Sequence, residues 1–414
     1  MAWRTSAEHV RWLAAETDRL LAFARGARLD VGGFGSLGDD GVARPDRPRE
    51  LYIACRMTYS FALGTLLGRP GCAPLVDHGL AALTALFRDA EHGGWFASVA
   101  PTTPEPVDDT KAAYGHAFVA LAAAAAVAAG RPGAQALLDE ALAVSLAHFW
   151  DDDAGMAVES YDRSFGRSEA YRGVNANMHT VEAYLVAADV TGDRAWLDRA
   201  SRITERVVHG FAADAAWRVP EHFDPDWQPL PDYNVDDPAH PFRPYGATVG
   251  HWMEWARLTL HLRAALAARG DVPPAWMLDD AVALVDAGVR DGWSVDGCPG
   301  FVYTVDPAGR PVVRERMHWV LCEAIGAVAA LHAVTGETRY DHWYRAWWEH
   351  AHAHHIDPAG GWWHGLDPSG AVSRTVWSGK PDVYHALQAT LVPRLPLAPT
   401  LAPALARGLL DQVP

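Results

Sequence analysis

The chain has 414 residues, half of them hydrophobic and 21% charged, a profile that supports a large buried core. A net charge of −16, from 35 Lys and Arg against 51 Asp and Glu, together with the lack of basic runs, excludes nucleic acid and anionic membrane as expected partners. Cys55, Cys72, Cys298 and Cys322 have neither metal-ligand spacing nor disulfide density, which fits inert thiols in a cytoplasmic protein.

Residues 1–6 lead directly into an amphipathic helical pattern, without the apolar run of a secretory leader, so a cytoplasmic location is expected. A glycine-aromatic signature then recurs as Gly33-Phe34, Gly94-Trp95, Gly155-Met156, Ala216-Trp217, Gly300-Phe301 and Gly361-Trp362. The steps are 61, 61, 61, 84 and 61 residues, so one repeat carries an insertion. Units repeated at this scale bury their apolar faces only against neighbours, and six of them predict a closed ring. Gly33-Phe34-Gly35-Ser36-Leu37-Gly38 matches a dinucleotide-binding pattern, but it follows a helix and runs into Asp39-Asp40-Gly41, so it reads as hairpin glycine.

Each interval between signatures holds two helical patterns. In the third, apolar residues at Met178, Val181, Tyr184, Leu185 and Ala188 mark one helix. Thr191-Gly192-Asp193 ends it and caps the next. About twelve paired helices follow, the first of each pair lying inside: 49–67, 110–129, 175–190, 246–268, 315–334 and 379–391. The apolar run 117–129 is too short to cross a bilayer. The expected fold is therefore all-α, an (α/α)6 barrel forming one domain over residues 1–414, with short β-hairpins on the rim where the inner helices begin. Residues 217–245 contain seven prolines, cannot be helix, and read as a lid-like loop.

Arg56, His116, His179, His251, His318 and His385 all fall in the first two turns of successive inner helices. Equivalent positions in a ring converge, which predicts a shared polar pocket at its mouth. His251 and Glu254 are three residues apart on one helix face, where a carboxylate can orient an imidazole and raise its basicity for acid–base work. Trp319, Trp377 and Tyr114 can stack on a sugar, and Asn175, Arg56 and Lys380 can bind hydroxyls or an anion. The tract His350, His352, His354 and His355 ends an outer helix and allows only opportunistic cation binding. Asp108-Asp109, Asp152-Asp153 and Asp236-Asp237 fit caps and turns better than a cation cage. Neither G-x-S-x-G nor H-E-x-x-H occurs.

Four segments, 49–56 (RELYIACR), 172–179 (RGVNANMH), 250–255 (GHWMEW) and 380–385 (KPDVYH), resemble the N-acylglucosamine 2-epimerase superfamily. The resemblance covers nearly the whole chain. Its members include cellobiose 2-epimerases, mannose isomerases and sulfoquinovose isomerase. Met317-His318-Trp319 through Glu323, with residues 172–175, look more like the aldose–ketose isomerase branch. The resemblance implies catalytic histidines at His251 and His385, a supporting carboxylate at Glu254, a substrate-holding Arg56 and a third pocket histidine at His179. It places sugar contacts at Tyr114, Asn175, Trp319 and Trp377, alongside His318, Glu323 and Lys380, with Arg243 as a lid contact. It also implies catalysis with no metal and no cofactor.

The expected reaction is conversion of D-mannose to D-fructose through a cis-enediol. His251, backed by Glu254, carries the C2–C1 proton and His385 opens the ring, the reverse assignment staying open. The expected partner is a small monosaccharide; a homodimer is left open. Sulfoquinovose isomerase remains an alternative, since Arg56, Arg243 or Lys380 could receive a sulfonate. So do a sugar 2-epimerase, an inverting glycosidase using Glu254 with Glu315 or Glu323, and a non-catalytic sugar-binding toroid.

Overall fold

In the computed structural model, residues 2–412 are described; Met1 and the last two residues of the expected 1–414 span lie outside it. Six inner helices form the wall of a ring: α2 (Leu51–Leu66), α4 (Ala113–Ala128), α6 (Val174–Thr191), α8 (Val249–Ala268), α10 (His318–Thr335) and α12 (Tyr384–Leu391). An outer helix follows each of the first five: α3 (Cys72–Ala85), α5 (Ala134–Val144), α7 (Ala195–Thr204), α9 (Trp276–Gly292) and α11 (Thr338–His350). The sixth pair is completed from the other end of the chain, where α1 (Ala7–Ala24) packs on α12. This is the expected (α/α)6 barrel, with a short α13 (Leu401–Ala406) behind α2 and α4.

The elements follow from local chemistry. The inner helices are apolar almost all round, as helices surrounded by protein must be, and α8 and α10 are buried along most of their length. In α4 Ala120 and the five alanines 122–126 are all buried, their small side chains letting neighbouring helices approach. Gly192 and Gly336 end α6 and α10 at φ 75° and 68°, the left-handed caps read from the sequence. Asp193 then accepts the Ala195 N–H at 2.9 Å as α7 begins.

The repeated signature is a left-handed turn. Gly33, Gly94, Gly155, Gly300 and Gly361 have φ between 64° and 99°. Ala216, which replaces glycine in the fourth copy, keeps φ 53° and Trp217 φ 68°. An L-residue there costs about 1–2 kcal/mol, so the repeat geometry overrides local preference at that site.

Two-residue strands stitch the repeats together. The leads into α2, α4, α6, α8 and α10 (49–50, 111–112, 172–173, 247–248 and 316–317) each pair antiparallel with the hairpin of the following repeat. The seam closes where Leu37 N–H donates to the Pro381 carbonyl and Lys380 N–H to the Leu37 carbonyl. These leads also carry buried cations that clamp the preceding glycine turn. Lys111 bonds Asp89, Arg316 bonds Asp296, and Lys380 bonds Asp357 and the Gly360 carbonyl. Lys380 is thus the sixth-repeat clamp, 1% exposed, and not the substrate contact expected.

Candidate active site

The rim where the inner helices begin encloses a narrow chamber of about 70 Å³. Arg56, Tyr114, Asn175, His179, His251, Glu254, His318, Trp319, Trp377 and His385 all line it. His116 does not. Its Nδ1 bonds the Ala112 carbonyl at 2.7 Å, and its Nε2 accepts the Trp95 N–H at 3.1 Å. Burial pushes its pKa down to about 3, so it is a structural imidazole that holds the second glycine-aromatic turn.

Two histidines face the chamber with the same tautomer. His251 Nδ1 lies 2.9 and 3.0 Å from the two carboxylate oxygens of Glu221, and His385 Nδ1 lies 2.8 Å from Glu323 Oε1. Each Nδ1–H donates to its carboxylate, which leaves Nε2 with a free lone pair. Trp319 sits between them, its ring 5.2 Å from His251 and 5.7 Å from His385, centroid to centroid. The two imidazoles therefore flank one indole on one cavity.

Glu254 is not the partner of His251. Helical side chains lean toward the N-terminus, so His251 rises to the rim, where the hairpin brings Glu221. Glu254 stays a turn deeper, 4.0 Å from His179 and 3.4 Å from Arg257, with its Oε2 buried and unbonded. Burial, then the charge on Glu323, raises its pKa well above the usual carboxylate range, which favours the neutral acid. Glu323 likewise does not face the cavity; it accepts from Arg257 Nε at 2.7 Å and supports His385 from behind. His179 Nδ1 is 3.2 Å from Glu182, which also accepts from the Tyr384 hydroxyl. The two sets His179–Glu182–Glu254 and Glu254–Glu323–His385 have polar atoms within 4.8 Å of one another, but these bond within the protein: His179 Nδ1 with Glu182, His385 Nδ1 with Glu323 Oε1, and Glu323 Oε2 with Arg257. The acidic pairs read from the sequence play no part in them, and Arg257 already supplies positive charge to Glu254 and Glu323.

The anion contacts expected from cations are occupied. Arg56 Nη1 donates to Asp382 at 3.2 Å and Nη2 to the Tyr114 hydroxyl at 3.1 Å. Arg243 lies outside the chamber, in a groove of about 950 Å³ that shares Tyr52, Tyr114, Asn175 and Phe242 with it. There it pairs with Glu169 at 2.7 Å and stacks 4.0 Å from the Tyr171 ring. The segment 217–245 reaches over the mouth: Pro241, Phe242 and Pro244 line the chamber, and Phe242 packs edge-on against Tyr52, Tyr114 and Trp377. His222 ties the root of that segment, bonding the Pro244 carbonyl and the Tyr171 hydroxyl, both at 2.8 Å.

A second ring of residues escaped the sequence reading. Ala97, Glu159, Glu221, Tyr303 and His364 each cap the first N–H of an inner helix with their carbonyl. Their side chains stand on the chamber, its groove or the adjoining wall. Each follows the glycine-aromatic signature by three to five residues, which is the signal that would have found them. His318 Nδ1 bonds the His364 carbonyl at 3.2 Å, and burial lowers the pKa of both rings to about 3.

Comparison with known proteins agrees with this architecture. The chain is 53% identical to a D-mannose isomerase of Thermobifida fusca and 50% identical to one of Pseudomonas cannabina pv. alisalensis, covering 98% of this chain in both cases and 98% and 97% of the relatives. A crystal structure of a D-mannose isomerase superposes with a TM-score of 0.86 at 29% identity, over 93% of this chain and 97% of that one. The cellobiose 2-epimerase of Spirochaeta thermophila DSM 6192 shares the fold, with a TM-score of 0.80 at 22% identity over 93% and 96% of the two chains. The profile of N-acylglucosamine 2-epimerase (GlcNAc 2-epimerase) matches residues 32–389, and the chain belongs to that family.

Proposed function

We propose that the protein is a D-mannose isomerase, interconverting D-mannose and D-fructose by histidine acid–base catalysis without a metal. The observation that carries the chemistry is the pair of imidazoles on one cavity, each with Nδ1 tied to its own carboxylate and Nε2 free. A neutral sugar is favoured over a sulfonated one because Arg56, Arg243 and Lys380 are each already paired with a carboxylate. Hydrolysis needs two carboxyls across the sugar, whereas Glu254 and Glu323 are held together by Arg257.

His385 Nε2 accepts the anomeric hydroxyl proton and returns it to the ring oxygen, opening the pyranose. His251 Nε2 then takes the proton from C2, and the imidazolium so formed is stabilised by Glu221. Negative charge spreads over O1 and O2 of the cis-enediolate, where the Tyr114 hydroxyl, itself accepting from Arg56 at 3.1 Å, donates. His251 delivers its proton to C1, and His385 moves the O2 proton to O1, giving the 2-ketose. Trp319 supplies the apolar face for the sugar, and residues 217–245 act as the lid of a single catalytic domain that excludes water.

Incubation with mannose in D2O containing EDTA tests the reading. Fructose carrying solvent deuterium at C1, at an unchanged rate with chelator, is expected. Loss of activity with EDTA, or full retention of the substrate's own hydrogen over many turnovers, refutes it.

A further inference from the structure

The two imidazoles have matching tautomers but unequal carboxylates, and one buried residue creates the difference. Arg257, on α8 and 3% exposed, gives Nε to Glu323 at 2.7 Å and Nη2 to Glu254 at 3.4 Å. Glu323 in turn holds His385. Glu221, which holds His251, has the Thr248 N–H at 3.2 Å as a further donor, and among the described residues no arginine or lysine pairs with it.

The charged and titratable groups around His385 come from every wall. Glu323 and His318 belong to α10, Arg56 to α2, His179 to α6 and Glu254 to α8, while Asp382 precedes α12 and His364 comes from the hairpin. Two of these groups are anions, Glu323 and Asp382, and each is matched by a guanidinium, Arg257 and Arg56. His385 thus meets no uncompensated negative charge, and burial pushes it toward the uncharged form. His251 faces an anion that no cation offsets. Its other neighbours, His179 and His222, are both pushed toward the neutral form by burial.

We propose that Arg257 is a positioning residue of the isomerisation: by neutralising Glu323 it keeps His385 as the uncharged proton shuttle and leaves His251 as the base. The proposal rests on the isomerase reading above. Without it, the pair would be nearly symmetric and either imidazole could charge first. The guanidinium contacts neither chamber nor substrate, so its effect passes through Glu323.

The test compares Arg257→Gln and Arg257→Lys with the wild type by rate against pH, and follows the ring signals of His251 and His385 by NMR without substrate. In Arg257→Gln the freed Glu323 draws a proton onto His385, so the His385 ring signal titrates about one pH unit higher, a tenfold rise in its charged-to-neutral ratio at a fixed pH. Arg257→Lys restores the charge and returns the His385 titration toward its wild-type position. An unmoved His385 titration in Arg257→Gln, or equal titrations in the two variants, overturns the proposal. Should Arg257→Gln fail to fold, the wild-type titration decides: the His385 ring must stay uncharged well below pH 6.5, and a ring that charges at or above that pH refutes it. That reading uses no turnover, so it separates failure of this proposal from failure of the isomerase assignment.

Discussion

Replacing Glu221 with Gln tests which carboxylate serves the base. The amide keeps the size of the side chain and an oxygen for His251 Nδ1–H, now at 2.9–3.0 Å from the carboxylate, so geometry is preserved and charge is lost. Hydrogen bonds to charged groups contribute about 1.5–3 kcal/mol. The carboxylate acts most when His251 becomes an imidazolium, so most of this falls on the transition state. With 1.36 kcal/mol per decade, kcat is expected to fall about 10- to 150-fold, with KM little changed. Initial rates of fructose formation from mannose read the effect. Glu254→Gln is the control: Glu254 bonds neither imidazole of the pair and burial favours its neutral acid, so its amide is a closer replacement and the loss is smaller. A Glu221→Gln enzyme retaining more than half its kcat, or a Glu254→Gln enzyme losing more than it, refutes the assignment.

Lys380→Met breaks a buried ion pair with Asp357 and is expected to lower stability by about 3–5 kcal/mol, while KM of the folded enzyme is unchanged; denaturant unfolding and kinetics together check this. Arg243→Ala removes the clamp between the lid segment and Glu169, so KM is expected to rise more than kcat falls, read in steady-state kinetics. His116, His318, His355 and His364 are buried with pKa values near 3, against an unfolded value near 6.5. The unfolded chain therefore binds more protons below that value. Stability from these residues is fully present above pH 6.5 and declines as pH falls toward 3, by up to about 1.4 kcal/mol per unit for each. Urea midpoints at neutral and mildly acidic pH measure the slope.

The periodic parts of the molecule were legible in the residues alone. A left-handed turn every 61 residues needs glycine or an equivalent, and an apolar helix needs its 3.6-residue repeat, so both leave marks on neighbouring positions. A place in the first two turns of the inner helices likewise brought His179, His251, His318 and His385 to one cavity, although they stand at the sixth, third, first and second positions of their helices and His116 falls outside it. Lys380 was misread because a buried clamp and a substrate cation look alike in one copy. Comparison with Lys111 and Arg316 in the earlier repeats distinguishes them.

What the chain order could not state is which carboxylate meets which imidazole. Glu221 lies 30 residues from His251, and Glu323 lies 62 from His385, while Glu254 stands one turn away and bonds neither. Local periodicity determines the face of a helix a residue occupies, and so the repeats and the inner helices were encoded in the order of residues. The partners of the histidines, the raised pKa of Glu254 and the reach of Phe242 over the mouth depend on separate repeats being brought into register. Only the closed ring decides them, because hydrogen bonds and charge act through space over a few ångströms, whatever the separation along the chain.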